Sequence, residues 1–299
     1  MNPSWKESLK DFEIFLRLEK SLSQNSIEAY LNDVSKLEQF FSESGKTVRP
    51  AEISYNDLKE FLSWFNNSSS NARTQSRILS GIRAFFKYML IEGFIEDNPS
   101  SLIESPKIGL KLPEVLSVTE IDRLVEAIDL SKPEGHRNKA IIETLYGAGL
   151  RVSELVGLRL TDVHFNEGYV AVTGKGSKQR LVPIGTKAIK EIELYLHDRQ
   201  GMKIIHDGNI LFLNRRGRKL SREMVFIIIK DLAVRTGIKK KISPHTFRHS
   251  FATHMVEAGA DLRAVQEMLG HESILTTEIY THIDRGFLRD TLVMFHPRS

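Results

Sequence analysis

HTFRHSFATH (245–254), continued by LGHESILTTEIYTH (269–282), decides how this chain is read. Phe247, Phe251 and Met255 recur at three- and four-residue spacing and form the apolar face of a helix. His245 and Arg248, three apart, share another face. An arginine grips two phosphate oxygens at once, and a nearby imidazole takes or gives a proton. His271 follows Leu269-Gly270 at a helix break, and Tyr280 lies further on. A phenol becomes a useful nucleophile when neighbouring cations favour the phenolate. Taken singly, each residue has a plainer reading. An isolated His-x-x-Arg is more often a helix start with a surface ion pair, and a tyrosine at helical spacing is usually half-buried core.

Two upstream strings change the balance. In GAGLRVSEL (147–155) the glycines permit a tight turn that holds Arg151 at a helix start, with Glu154 placed to orient it. The competing reading is an Arg–Glu pair on solvent. In TGKGSKQR (173–180) Lys175 sits at a hairpin tip between glycines, where a flexible amine can reach a cleft and protonate a leaving oxygen. Most hairpin-tip lysines are merely solvated. Together, two guanidiniums, a lysine, two imidazoles and a phenol suit a phosphodiester. His245, His249 and His254 approach metal-ligand spacing, but no acidic or third histidine partner falls in step, so no metal is expected. His249 and His254 read as packing or surface groups.

With 299 residues, 41% hydrophobic and 27% charged, the chain fits one large or two ordinary globular domains. There is no cysteine, which excludes disulfides, thiolate zinc sites and cysteine nucleophiles. No apolar run suits a membrane span, and MNPSWKESLKDFEIF lacks a secretory pattern, so a cytoplasmic location is expected. The net charge of +4 is unevenly spread: residues 1–110 hold 13 Lys/Arg against 15 Asp/Glu, whereas 111–299 hold 29 against 23. The basic surplus lies with the motif and suits a polyanionic partner.

Apolar periodicity predicts helices over 3–20, 23–41, 54–66 and 71–91, a compact N-terminal bundle. Asn98-Pro99, Pro106 and Pro113 then interrupt helix formation. The expected organisation is a helical domain over 1–106, a linker over 107–115, and a second, mixed domain over 116–299. Ser117-Val-Thr-Glu120 reads as a capping box. Helices are expected over 137–146 and 151–158, strands over 168–173 and 179–184 joined by a turn at 174–178, and a third strand at 210–212. Pro183 implies an edge strand. Helices dominate from Ser221 onward. The fold class is mainly α with a small antiparallel sheet.

Basic residues cluster outside the motif. Arg73, Arg77, Arg83 and Lys87 run along one helix, with Arg73 and Arg77 on one stripe opposite its apolar face. Asn214-Arg-Arg-Gly-Arg-Lys219 precedes a helix containing Arg222. Charge runs are most often solvated faces. Here Arg73, Arg77, Lys178, Arg215, Arg216, Arg218 and Arg222 are the candidate DNA contacts.

The ordered set Arg151, Lys175, His245-x-x-Arg248, His271, Tyr280 resembles the tyrosine recombinase (phage integrase) family. GLRVSEL, GKGSKQRLVP and SPHTFRHSFATHMVEAGADLRAVQEMLGHESILTTEIYTH are similar to its Xer (XerC/XerD-like) subfamily, from SLSQNSIEAYLNDVSKLEQF to the closing His296-Pro297-Arg298. The resemblance implies a SAM-like core-binding domain and a catalytic domain. It implies that Tyr280 attacks a scissile DNA phosphate to leave a 3′-phosphotyrosine and a free 5′-hydroxyl, without metal, ATP or any cofactor. Arg151 and Arg248 would hold the non-bridging oxygens, His271 would add a hydrogen bond, His245 would act as general base and Lys175 as general acid. The implied partners are a double-stranded DNA recombination site, a homo- or hetero-tetramer on two synapsed duplexes, a second Xer recombinase and a septal DNA translocase, in the resolution of chromosome dimers at cell division. The amphipathic tail 287–299, with Phe287, Leu288, Leu292 and Phe295 apolar, would dock on a neighbouring protomer rather than its own domain. Rival readings are a type IB topoisomerase, a non-catalytic DNA-binding protein on the same fold, and a mobile-element integrase. The DNA target is not legible in the sequence.

Overall fold

Side-chain caps decide where the first helices begin. Ser4 Oγ accepts from the Glu7 amide and the Ser4 amide donates to Glu7 Oε2 at 2.8 Å, which opens α1 (Trp5–Leu18). Ser54 and Asp57 make the equivalent pair ahead of α3 (Tyr55–Ser68). A cap of this kind contributes about 1 kcal/mol. With α2 (Gln24–Glu43) and α4 (Ala72–Ile91), these helices bury Phe12, Phe41, Phe61, Phe85 and Phe86 completely. Burying each ring stabilises the bundle by about 1.5–3 kcal/mol. Phe12 and Phe85 meet edge-on at 5.3 Å. The computed structural model describes residues 3–20, 22–68, 72–106, 109, 114–174, 179–270 and 285–299. Lys175, Lys178, His271 and Tyr280 lie outside them.

The chain divides into two compact units, Met1–Lys111 and Leu112–Ser299. In the first, Arg73 and Arg77 are both exposed on α4. Arg77 is anchored: its Nη1 donates to the buried carboxylate of Asp33 at 2.7 Å. Burial raises the Asp33 pKa, although Arg77 pulls against it. Arg83 donates to Ser105 Oγ at 2.9 Å and to the Ile103 carbonyl, so it ties the end of this unit to α4.

The second unit opens with α5 (Val118–Glu126), where Ser117 and Glu120 form the expected capping box. Next come α6 (Gly135–Gly147) and α7 (Val152–Gly157). Strands β1 (Val163–His164), β2 (Tyr169–Thr173) and β3 (Gln179–Pro183) form an antiparallel sheet in the order β1-β2-β3. Val170 faces Val182 and Val172 faces Arg180. β3 is an edge, where Pro183 costs no ladder bond. Helices α8 (Thr186–Gln200), α9 (Arg222–Thr236), α10 (Pro244–Glu257), α11 (Leu262–Leu269) and α12 (Arg285–Phe295) complete the described α-helices. The fold is mainly α with a small antiparallel sheet.

Two expectations need correction. Residues 210–212 are not a strand. Ile210 makes a single bridge to Arg159 and Leu213 one to Lys219, while the Leu211 amide donates to the Leu158 carbonyl at 2.8 Å. The apolar run is buried because it crosses the core, not because it joins a ladder. The third strand is β1. The second correction is α8, absent from the sequence-based expectation although Ala188, Ile192 and Tyr195 carry its buried face at helical spacing.

The tail lies against its own unit. Leu288 and Leu292 are buried in the core that also holds Tyr146 and Phe251, whereas Phe287 is exposed. The His296 ring packs at 4.7 Å from Tyr146 and 5.1 Å from Phe251, and its Nδ1 accepts from the Arg298 amide at 3.0 Å. Arg298 pairs with Asp122 at 2.6 Å and Glu143 at 3.4 Å. Tyr146 Oη bonds His254 Nδ1 at 2.7 Å, so His254 is a packing group.

Burial, helped by His254 and Arg298, pulls the His296 pKa down to about 3. Its ordinary value is about 6.5, so the unfolded chain binds a proton that the folded chain refuses. Stability is therefore full above about pH 6.5 and falls by up to ~1.4 kcal/mol per unit as pH drops towards 3. His296→Asn keeps an acceptor for the Arg298 amide and cannot titrate. Melting curves between pH 7.5 and 5 should fall less steeply for this variant than for the parent. Equal slopes would show that His296 does not carry the effect.

Candidate active site

Gly149 makes the turn that aims Arg151. Its φ is +58°, and a Cβ there would lie 2.7 Å from Phe251 Cδ1 and 3.1 Å from Leu269 Cδ2. The chain then enters α7 with Arg151 at its N-cap. The Arg151 amide donates to Glu154 Oε2, and its Nη1 donates to Glu154 Oε1, both at 2.9 Å. Its Nη2 donates to the Gly270 carbonyl at 2.9 Å, 119 residues away in sequence. The side chain is 41% exposed while Glu154 is 3% exposed, so the carboxylate is a buried anchor and the guanidinium faces outward from it. The expected Arg151–Glu154 pair is present, but it is not a solvated surface pair.

Arg248 arrives from the first turns of α10, where Ser243 and Thr246 cap the start and Pro244 occupies a position that needs no amide donor. Phe247, Phe251 and Met255 bury the other face. Arg248 is only 6% exposed. Its Nη1 donates to the Gly149 carbonyl at 2.8 Å and its Nη2 to the Leu269 carbonyl at 2.6 Å. Arg151 and Arg248 therefore converge on two consecutive carbonyls, Gly270 and Leu269, at the end of α11. Burial pulls the Arg248 pKa down to about 10, with Arg151 adding to the shift, so the group remains a cation at neutral pH.

A third guanidinium completes the cluster. Arg180 binds Glu154 through both oxygens, at 2.9 and 3.0 Å, and its Nε donates to the Met268 carbonyl at 3.4 Å. It lies over Gly270, where a Cβ would sit 2.8 Å from the Arg180 Cζ. Burial raises the Glu154 pKa, but hydrogen bonds from Arg180 and the Arg151 amide outweigh it, and the carboxyl ends below its usual range. Two of the three cations bind this one ionised carboxylate, and Arg248 is held by carbonyls alone. The surplus positive charge, partly shielded from water, is a site for an anion with several oxygens. Among the described residues, no group of three or more His, Cys, Asp or Glu could hold a metal ion.

His245 is exposed near the start of α10, one turn before Arg248. Lys175, His271 and Tyr280 lie outside the described residues, as does Lys178. Their flanks do not: β3 begins just after Lys178, and Gly270 immediately precedes His271. Arg215, Arg216, Arg218 and Arg222 are exposed. The first three line a cleft of about 1110 Å³ whose lining includes neither Arg151 nor Arg248. Arg215 is paired with Glu134.

Sequence reading missed Arg180. The signal was present: Arg180 alternates with Val182 along β3 and stands opposite Val172, on the apolar face of the hairpin. A cation on such a face demands a buried partner.

Comparison with known proteins matches this chain to a family. The profile described as Phage integrase family matches residues 114–286, and that of the phage integrase N-terminal SAM-like domain matches 9–93. A tyrosine recombinase XerD of Chlorobaculum tepidum is 44% identical over 99% of this chain and 98% of its own length. A tyrosine recombinase XerD of Oceanobacillus iheyensis is 42% identical over 98% and 99%. The solved structure of a XerH site-specific recombinase, bound to palindromic difH substrate in a post-cleavage complex, aligns with a TM-score of 0.69 at 25% identity, over 94% of this chain and 83% of that one. With both domain profiles matched in order and relatives spanning nearly its whole length, this chain belongs to the phage integrase, or tyrosine recombinase, family.

Proposed function

We propose that this chain cuts and rejoins DNA at a specific site through a 3′-phosphotyrosyl intermediate and serves to resolve chromosome dimers at cell division. The observation that carries the reading is the convergence of Arg151 and Arg248 on the carbonyls of Gly270 and Leu269, directly before His271. Each guanidinium has further N–H donors beyond those bonds, suited to the non-bridging oxygens of a scissile phosphate. The positive surplus offsets the charge that builds on those oxygens in the transition state.

In this mechanism Tyr280 Oη forms a bond to phosphorus as the bond to the 5′ oxygen breaks. His245 takes the phenolic proton, Lys175 gives a proton to the departing 5′ oxygen, and His271 donates to a non-bridging oxygen. The phosphotyrosine conserves the bond energy for rejoining, so the step is proposed to need neither metal nor ATP. Arg73, Arg77, Lys178, Arg215, Arg216, Arg218 and Arg222 are proposed to contact the duplex outside the cleavage centre, and the unit before the linker to act as a core-binding domain. Four protomers, from this chain alone or with a second Xer recombinase, would hold two duplexes in the cytoplasm, under control of a septal DNA translocase. Docking of the tail on a neighbouring protomer would first have to release Leu288, Leu292, His296 and Arg298 from their own unit.

The test uses a plasmid carrying two copies of a site recovered by footprinting on genomic DNA. Recombination in EDTA without nucleotide, by this chain alone or with its paralogue, is the expected result. Relaxation of a plasmid that lacks the site would instead favour topoisomerase-like activity. A strict requirement for a divalent cation would contradict the mechanism.

A further inference from the structure

We infer that Arg180 is a positioning residue for the cleavage reaction proposed above, on which this inference rests: it locks the Glu154 carboxylate that orients Arg151. Glu154 is the only carboxylate that any hydrogen bond or ion pair of the described residues assigns to Arg151, and Arg180 holds both of its oxygens. Within α7 the carboxylate is held by Arg151 alone, through its amide and its Nη1, so that pair is tied to no other element. The bidentate grip from β3 supplies the tie, because two parallel N–H···O bonds fix the carboxylate plane against a second element.

Arg180 also touches the other side of the site. Its guanidinium covers the Gly270 Cα and its Nε reaches the Met268 carbonyl, while Arg151 takes the Gly270 carbonyl and Arg248 the Leu269 carbonyl. Three consecutive carbonyls at the end of α11 are thus each held by a different arginine. Arg180 is the one of the three that has both Nη atoms committed to a carboxylate, which suits it to hold the others rather than to meet the phosphate. Its side chain is 17% exposed, against 41% for Arg151.

Without Arg180, Glu154 loses one partner for each oxygen, and the excess of Arg151 conformers that miss the phosphate grows. A small misplacement of a charge-stabilising group costs rate more than binding, since DNA is held over many other phosphates. The test compares the parent, Arg180→Ala and Arg180→Lys on a nicked suicide duplex carrying the site, under single turnover with DNA saturated. The expected result is covalent adduct formation slowed about 10- to 100-fold in Arg180→Ala, with the DNA Kd within about threefold of the parent. Arg180→Lys keeps the charge without the fork and should fall between, which also serves if Arg180→Ala does not fold. In an Arg151→Lys background, adding Arg180→Ala should slow the reaction less than about threefold further, because both changes remove the same interaction.

An unchanged rate in Arg180→Ala or, failing its folding, in Arg180→Lys would overturn the inference. So would slowing that multiplies undiminished in the Arg151→Lys background, or a loss confined to DNA binding; each marks a general structural role. If the parent itself forms no adduct, the proposed function fails instead.

Discussion

Replacing Arg248 with alanine should lower the rate of covalent DNA cleavage by about 10²- to 10³-fold, the usual cost of removing one preorganised charge-stabilising group. The structure explains why no neighbour can substitute. Arg180 has both Nη atoms on Glu154, and Arg151 is held by Glu154 and the Gly270 carbonyl. The change also strands the Gly149 and Leu269 carbonyls, each of which loses a donor inside the core. An unsatisfied buried acceptor costs about 1–3 kcal/mol, so the variant should melt several degrees lower. Arg248→Lys should recover most of the stability and little of the rate, because an ammonium cannot hold two carbonyls and a phosphate in one plane. Single-turnover trapping read beside thermal melting separates the two losses. Parent-like cleavage in either variant would remove Arg248 from the site.

A large effect on stability is expected at Gly149, the turn that carries the active-site arginine. Gly149→Ala should destabilise the second unit by about 2–4 kcal/mol, combining a left-handed backbone penalty with overpacking against Phe251 and Leu269. Gly237 provides the control. Its φ is +66° and a Cβ there meets nothing within 4 Å, so Gly237→Ala should cost only about 1 kcal/mol. Because the Gly149 carbonyl is an Arg248 acceptor, the Gly149 variant should also cleave more slowly at temperatures where it is still folded. Equal melting temperatures for the two variants would show that the turn is not tightly packed.

Local rules made much of this fold legible. The Ser117–Glu120 box, the proline edge of β3 and the helical period around Phe247 and Phe251 each state a physical requirement that one short segment can meet alone. What stayed hidden depends on partners far apart in sequence. The run Ile210–Phe212 looks like a strand because three apolar residues carry no period, and only the surrounding core makes it an irregular crossing. At the site, the Arg151–Glu154 spacing was readable, but its burial was not. The buried carboxylate is paired by Arg180, which reaches Glu154 from another element. Arg248 stands out in the sequence by its spacing from His245, whereas its environment is set by the carbonyls of Gly149 and Leu269. The resemblance to a family joined these segments before any geometry could.

The most direct test of the central claim is to identify the residue that carries the DNA. The parent chain, trapped on a nicked duplex containing its site and digested with protease and nuclease, should yield one nucleotide-linked peptide. Fragmentation should place the phosphodiester on Tyr280, with the phosphate from the 3′ side of the cut and a free 5′-hydroxyl on the other strand end. Tyr280→Phe should bind the same duplex and yield no such peptide. A linkage on any other residue, a 5′-phosphate attachment, or an adduct that survives Tyr280→Phe would contradict the account.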